Sequence, residues 1–466
     1  MANRKSVKTD QADTLIASDT KIYPRAVHGL FAMWRSIGVL ILLGIYYIVP
    51  WLTWGERQAV LFDLPNRKFH IFGLTFWPQD FFYFAVLLII AAFALFFFTA
   101  IAGRLWCGYA CPQTVWTELF MWIARKVEGD RPKQIKLDKM PWNAYKIRIK
   151  TTKHFLWLLL AAYTGFTFVG YFTPIDELAS RIIELSLGPW EWFWIIFYSF
   201  ATWGNAGFMR EQVCIYMCPY ARFQSVMFDN DTLIISYDEE RGEPRGSRKR
   251  NEDPATKNLG SCIDCTLCVQ VCPTGIDIRD GLQYQCIACS ACIDVCDDVM
   301  DKMGYERGLI KYTTENARQG KSVSLFRPRI LVYAVSLIIM SLGLTTAIAM
   351  RVPLEVDITR DRTRLFNETD TGLIENTYSL QIINKDESIH QYHITATGID
   401  GMKMSIKSET IEVAAGEVID IPLRLQVDAY NLKKRSTEIM LSVVSIDNAD
   451  IRVSEATRFL GPTGRR

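Results

Sequence analysis

Eight of the chain's twelve cysteines fall in two copies of one spacing, Cys262-x2-Cys265-x2-Cys268-x3-Cys272-Pro273 and Cys286-x2-Cys289-x2-Cys292-x3-Cys296-Asp297. Three thiolates at two-residue gaps let a tight loop wrap one corner of a cubane, and the fourth ligand must come from elsewhere. In two-cluster ferredoxins the fourth Cys of each run ligates the other cluster. The spacing therefore predicts two [4Fe–4S] clusters, one held by Cys262, Cys265, Cys268 and Cys296, the other by Cys286, Cys289, Cys292 and Cys272. Structural zinc sites would use their cysteines in pairs, and no histidine stands nearby to complete a mixed set. Asp297 occupies the place where proline usually follows the fourth Cys, which weakens the turn signal and leaves the thiolate in place.

The other four cysteines form an internal repeat, Cys107-Gly-Tyr109-Ala-Cys111-Pro112 and Cys214-Ile-Tyr216-Met-Cys218-Pro219, at the ends of two apolar stretches. If each motif is helical, its two thiols share a face. If instead Pro112 and Pro219 each open a new helix, Cys111 and Cys218 stand at a helix N-terminus, where the dipole favours thiolate. Either geometry makes ligands of Cys107, Cys111, Cys214 and Cys218, and four soft sulfurs suit Cu(I), zinc or an Fe–S cluster. Their use for packing alone is the alternative. Other motifs fail: Gly320-Lys321-Ser322 lacks the leading glycine of a phosphate loop, and no Cys-x-x-Cys-His exists for a c-type haem.

These cysteines need elements to position them. Five stretches, 37–54, 81–102, 155–172, 192–208 and 330–350, are long and apolar enough to cross a hydrocarbon core of about 30 Å. The fourth is the weakest, since it carries Asn205 and small-residue breaks. Trp51, Trp54, Trp77, Trp190, Trp192 and Trp194 sit at span ends, where aromatic rings prefer the interface. Lys and Arg crowd 104–153, while 173–188 holds only Arg181 beside three acids. The positive-inside rule then puts the N-terminus, 104–153 and 210–329 in the cytoplasm and everything after Met350 outside. Cytoplasmic thiols stay reduced, and the exported part contains no cysteine. The first span follows a long polar segment without a cleavage pattern, so it is expected to remain as an anchor. The net charge of +2 says little about partners. The basic run 245–250 reads as a solvated or lipid-facing linker, with no nucleic acid partner.

After the last span the pattern changes to about seven short strands with period-two alternation, which reads as an immunoglobulin-like sandwich. His390 and His393 fall on opposite faces of one strand, so they are expected as two surface histidines. The expected organisation is a cytoplasmic segment 1–36, a four-helix membrane domain 37–229 with both Cys-x3-Cys-Pro motifs, and a two-cluster ferredoxin domain 230–329. A fifth transmembrane helix 330–350 and a periplasmic sandwich 351–466 complete it.

The chain resembles the FixG/CcoG (RdxA) family of membrane ferredoxin-like accessory proteins for cbb3-type cytochrome oxidase. The likeness rests on the two Cys-x3-Cys-Pro motifs, on Tyr237-Asp-Glu-Glu-Arg-Gly-Glu-Pro-Arg-Gly246, on Val271-Cys-Pro-Thr-Gly-Ile-Asp-Ile-Arg-Asp-Gly-Leu-Gln-Tyr-Gln-Cys286 and on Val299-Met-Asp-Lys-Met-Gly-Tyr305. Glu306 departs from a proline common in relatives. The resemblance implies a bacterial inner-membrane protein that reduces Cu(II) to Cu(I) for the oxidase. It also implies a cytoplasmic electron donor and, as partners, a copper transporter or chaperone and oxidase subunits; a homodimer is compatible with it. The alternatives are a quinol-linked membrane electron carrier, which needs a quinone pocket, and a non-enzymatic assembly scaffold.

Overall fold

The first expected span begins earlier than its apolar residues do. Helix α1 runs Leu30–Ile48 because the Asp294 carboxylate accepts the backbone N–H groups of Phe31 (3.1 Å) and Ala32 (2.7 Å), supplying the partners that a first turn lacks. Gly29 is required at that approach, since a Cβ there would lie 2.4 Å from Asp294 Cγ. Val49 and Pro50 end the helix in a 3-10 turn. The structure is a computed structural model describing residues 21–462 except 251, 253–257, 325, 362, 387, 407 and 409, and the Ser225 side chain. Residues 1–20 of the expected cytoplasmic segment and 463–466 of the expected sandwich lie outside the described residues.

Each of the five expected spans is mostly helical, the first giving way to a strand at Thr53–Trp54, and among the described residues three helices, Leu30–Trp51, Pro78–Ala102 and Pro328–Ala349, are long and apolar enough to cross a membrane by themselves. The other two differ for local reasons. The helix Ala144–Val169 carries Lys146, Arg148, Lys150 and Lys153 in its first half. Lys150 and Lys153 pair with buried Glu128 at 2.7 and 2.9 Å. Pro189–Thr202 is 14 residues long and passes into π-helical turns, Trp203–Met209 and Val213–Met217. These two helices pack closely: a Cβ at Gly165 would lie 2.5 Å from the Ile195 carbonyl oxygen.

The chain divides into two compact units, Met1–Leu52 with Leu88–Ile339, and Thr53–Leu87 with Met340–Arg466. In the first, strand Ile234–Tyr237 pairs antiparallel with Ile310–Thr313 over a core of Ile235, Ile278, Ile293, Met300, Leu309 and Ile310. Each cysteine run leads into a helix. The first helix, Leu267–Gln270, stops before Pro273, whereas the second, Ala291–Met303, runs straight through Cys296-Asp297. Proline cannot continue a helix; aspartate can, and the Asp297 carboxylate accepts the Gly308 N–H at 2.9 Å. Thr232 Oγ1 and Leu233 N donate to the carbonyls of Ala100 and Ile101 at 3.1 and 3.0 Å, fastening the strand to the end of helix Phe81–Ala102.

The second unit is the sandwich. One sheet has the order Lys403–Ser405, Val418–Asp428, Leu373–Asn384, Leu354–Arg360; the other has Thr410–Val413, His390–Thr397, Ser436–Ser445, Arg452–Leu460. Alternate residues such as Ile421, Leu423, Leu425 and Val427 point into the core, as the period-two pattern requires. Residues 53–76 add short strands that the sequence reading left unassigned. They belong to this unit: Lys68 Nζ donates to the Gly416 carbonyl at 2.8 Å, and buried Asp80 pairs with Lys385 at 2.9 Å. His390 and His393 do lie on opposite faces, but His390 is buried beside Asp386 (2.8 Å) and only His393 is exposed.

Candidate functional site

The two cysteine runs build two cavities. Cys262, Cys265, Cys268 and Cys296 line one; Cys272, Cys286, Cys289 and Cys292 line the other, which Cys268 also reaches. Each run thus sends its fourth thiol across to the other run, as the spacing predicts. Both loops turn through the left-handed region at matching positions, Asp264 (φ 53°) and Thr266 (φ 56°) in one, Ala288 (φ 54°) and Ser290 (φ 61°) in the other. None of these four is glycine, and such backbone persists only where the surroundings over-determine it. Wrapping a cubane is such a demand.

Burial pushes the thiols of Cys268, Cys286 and Cys296 up to about 12, and neighbouring cysteines add to the shift. An anion buried without a compensating cation is costly. Iron supplies that cation, so four buried thiols around one cavity fit a [4Fe–4S] cluster. Among the described residues each cavity is lined by cysteines and by no histidine, the all-sulfur set that a cubane uses.

Cys107 lies in the short helix Leu105–Tyr109; Cys111 and Cys218 cap helices opened by Pro112 and Pro219; Cys214 lies in the π-helical turn. The helix-opening geometry is therefore the one adopted. The thiols of the two motifs are electrostatic neighbours, Cys214 with Cys107, Cys111 and Cys218. Burial nevertheless raises Cys107 to about 11 and Cys214 to about 12. It also raises Cys111, although the N–H groups of Thr114 and Gln113 favour its thiolate. The expected thiolate stabilisation by the helix end is outweighed by desolvation.

What joins the two regions is contact between Gly108 and the second run. A Cβ at Gly108 would lie 2.8 and 2.9 Å from the carbonyl oxygens of Ile287 and Ala288 and 2.9 Å from Cys289 Cα. Tyr109, inside the first motif, donates to Ser290 Oγ at 3.0 Å. Arg104 is buried across the junction: it donates to the carbonyls of Ala221 at 2.8 Å and Cys286 at 3.2 Å, and also to that of Tyr284. Its charge acts on Cys107, Cys214 and Cys286 alike. Buried Arg35 donates to the Cys289 carbonyl at 3.1 Å. Gln224, fully buried, accepts from the Cys107 thiol at 3.4 Å. Sequence reasoning found all twelve cysteines and missed Arg35, Arg104, Gly108 and Gln224; the only signal within the repeat is that Gly108 stands where the second copy has Ile215. The basic run is partly structural, since Arg248 stacks over Tyr305 and bonds its hydroxyl at 2.9 Å.

Three segments of the chain match known families. Residues 209–315 match the family described as "4Fe-4S dicluster domain", 84–129 match "4Fe-4S binding domain", and 344–462 match "IG-like fold at C-terminal of FixG". Protein RdxB of Cereibacter sphaeroides is 42% identical over 86% of this chain and 87% of its own. Nitrogen fixation protein FixG of Rhizobium meliloti is 38% identical over 84% and 81%, and protein RdxA of C. sphaeroides 39% over 88% and 88%. A solved FixG-related protein from Vibrio parahaemolyticus is 29% identical over 23% of this chain and 95% of its own, with a TM-score of 0.22. With identity at this level over most of both chains, the chain belongs to the FixG/RdxA family of membrane-associated 4Fe–4S proteins.

Proposed function

We propose that the chain is a membrane-bound electron-transfer protein that reduces Cu(II) to Cu(I) for the copper centre of a cbb3-type oxidase. Cys262, Cys265, Cys268 and Cys296 would hold one [4Fe–4S] cluster and Cys272, Cys286, Cys289 and Cys292 the other. A [4Fe–4S] cluster held there would supply electrons one at a time. Cu(II) is the substrate, approached by Cys107, Cys111, Cys214 and Cys218, whose soft sulfurs favour Cu(I). The observation that carries this reading is the direct packing of the Cys107–Cys111 motif, through Gly108, on the loop of Cys286 and Cys289.

The topology proposed with it has five crossings of the bacterial inner membrane, with the cysteine-bearing regions cytoplasmic and the sandwich periplasmic. Residues 53–80 pack in one unit with 351–462, which requires an even number of crossings between them; the five-span thread has four. A cytoplasmic reductant is the proposed donor, and a copper transporter or chaperone and oxidase subunits are the proposed partners.

The test is anaerobic Cu(I) titration of purified protein against a competing chelator. About one Cu(I) per chain should bind, and changing Cys107 and Cys111, or Cys214 and Cys218, to Ser should abolish binding while iron and sulfide stay unchanged. Equal Cu(I) binding by these variants would remove the thiols from the reading.

A further inference from the structure

A cavity of about 820 Å³ borders the second cysteine run. One wall is Val271, Pro273 and Ala291, the immediate neighbours of Cys272 and Cys292. The facing wall is the first three turns of α1 and the middle of helix Pro112–Glu128, where Met33, Leu40 and Trp122 make it apolar. Its size falls within the roughly 300–1,000 Å³ typical of small-molecule sites.

The polar groups of the cavity are mostly committed. Glu118 pairs with Arg125 at 2.9 Å, and the Asp130 carboxylate accepts the Ala26 N–H at 3.0 Å. Arg25 and His28 are exposed to water, which leaves Arg35 as the buried polar side chain of the lining. It is buried with 9% exposure, its terminal nitrogen is held by the Cys289 carbonyl, and its Nε has no acceptor among the described residues. A buried donor left unmade is costly, and an acceptor brought into the cavity relieves it. The ligand must therefore carry an acceptor oxygen at one end, a flat or apolar body for the facing wall, and a tail that can follow an apolar helix of membrane-spanning length.

We propose that this cavity binds the ring of an isoprenoid quinone, with Arg35 Nε donating to a ring carbonyl and the ring lying beside Cys272 and Cys292. A redox wall favours a redox ligand over a phospholipid head group. Quinone reduction there takes two electrons and two protons: both carbonyls become hydroxyls, no carbon–oxygen σ bond breaks, the electrons come singly from the second cluster and the protons from water. Quinol oxidation is the reverse. The proposal rests on the cluster assignment of Cys272, Cys286, Cys289 and Cys292 and is independent of copper.

The probe is decylubiquinone, added to the full-length holoprotein in detergent, with bound ligand measured by ultrafiltration. Ser36 is exposed on α1 and lines the cavity, so Ser36→Phe fills it without opening the core, and Val39→Phe is a second filler. Both should weaken binding at least tenfold, and should slow by at least tenfold the reoxidation of dithionite-reduced protein by decylubiquinone. Iron content and reoxidation by Cu(II) should not change. No saturable binding to the unaltered protein, equal binding by both fillers, or a co-purified phospholipid that decylubiquinone fails to displace would each overturn the proposal.

Discussion

Replacing Arg104 by Met should lower the midpoint potential of the second cluster selectively. The guanidinium is 6% exposed, donates to the Cys286 carbonyl at 3.2 Å and stacks over Tyr284 at 4.9 Å. From that contact its charge lies on the order of 8 Å from the cluster, and at an effective dielectric of about 20 Coulomb's law gives roughly 2 kcal/mol. Since 59 mV corresponds to about 1.4 kcal/mol for one electron, the shift is roughly 90 mV. Its sign follows from charge: reduction adds an electron, the arginine stabilises the added negative charge, and its loss makes reduction harder. Arg104 does not line the first cavity, so the first cluster should move by less than half as much. Arg104→Lys keeps the charge and should restore most of the potential. Redox titration followed by electron paramagnetic resonance measures both clusters. Equal shifts in both, or a Lys variant that behaves like Met, would show that the residue acts through local folding and not through its charge.

Cross-ligation predicts that Cys296→Ser damages the cluster of Cys262, Cys265 and Cys268, and that Cys272→Ser damages that of Cys286, Cys289 and Cys292, as read in the spectra of each variant. Asp294→Ala should remove the cap of α1 and cost about 1–2 kcal/mol, seen as a lower unfolding temperature and faster proteolysis near Gly29. Lys385→Ala removes the nearer of the two cations paired with buried Asp80, leaving Arg351 at 3.6 Å, and should cost less than the roughly 3–5 kcal/mol of a fully orphaned buried charge; the sandwich unit should melt earlier while iron content holds. Reporter fusions after Ala102, Met209 or Arg329 should report cytoplasm and those after Trp54, Phe172 or Arg351 the exterior, and an external signal from a fusion at Arg250 would reverse the topology.

The cluster cavities were legible in the sequence because three of the four thiols in each come from one loop, so spacing carries the geometry. The sandwich was legible because alternation marks a half-buried strand. The strands in 53–76 were not: they are two to four residues long and lie between two apolar helices. Arg104 and Asp294 were also hidden, since their partners stand 180 and 263 positions away in the chain and neither belongs to a spaced motif. The helix-end argument for Cys111 located the residue correctly and misjudged its charge, because burial outweighs two backbone hydrogen bonds. Composition likewise did not show that 155–172 is continuous with a charged half-helix or that 192–208 ends in π-helical turns.

The most direct test of the central claim is stopped-flow mixing of dithionite-reduced protein, freed of excess reductant, with Cu(II) in the absence of oxygen. The account predicts that cluster absorbance recovers with one Cu(I) trapped per electron lost, and that recovery slows at least tenfold when Cys107, Cys111, Cys214 and Cys218 are changed to Ser with both clusters intact. Clusters that stay reduced in the presence of Cu(II), or that reoxidise equally fast without those four thiols, would contradict it.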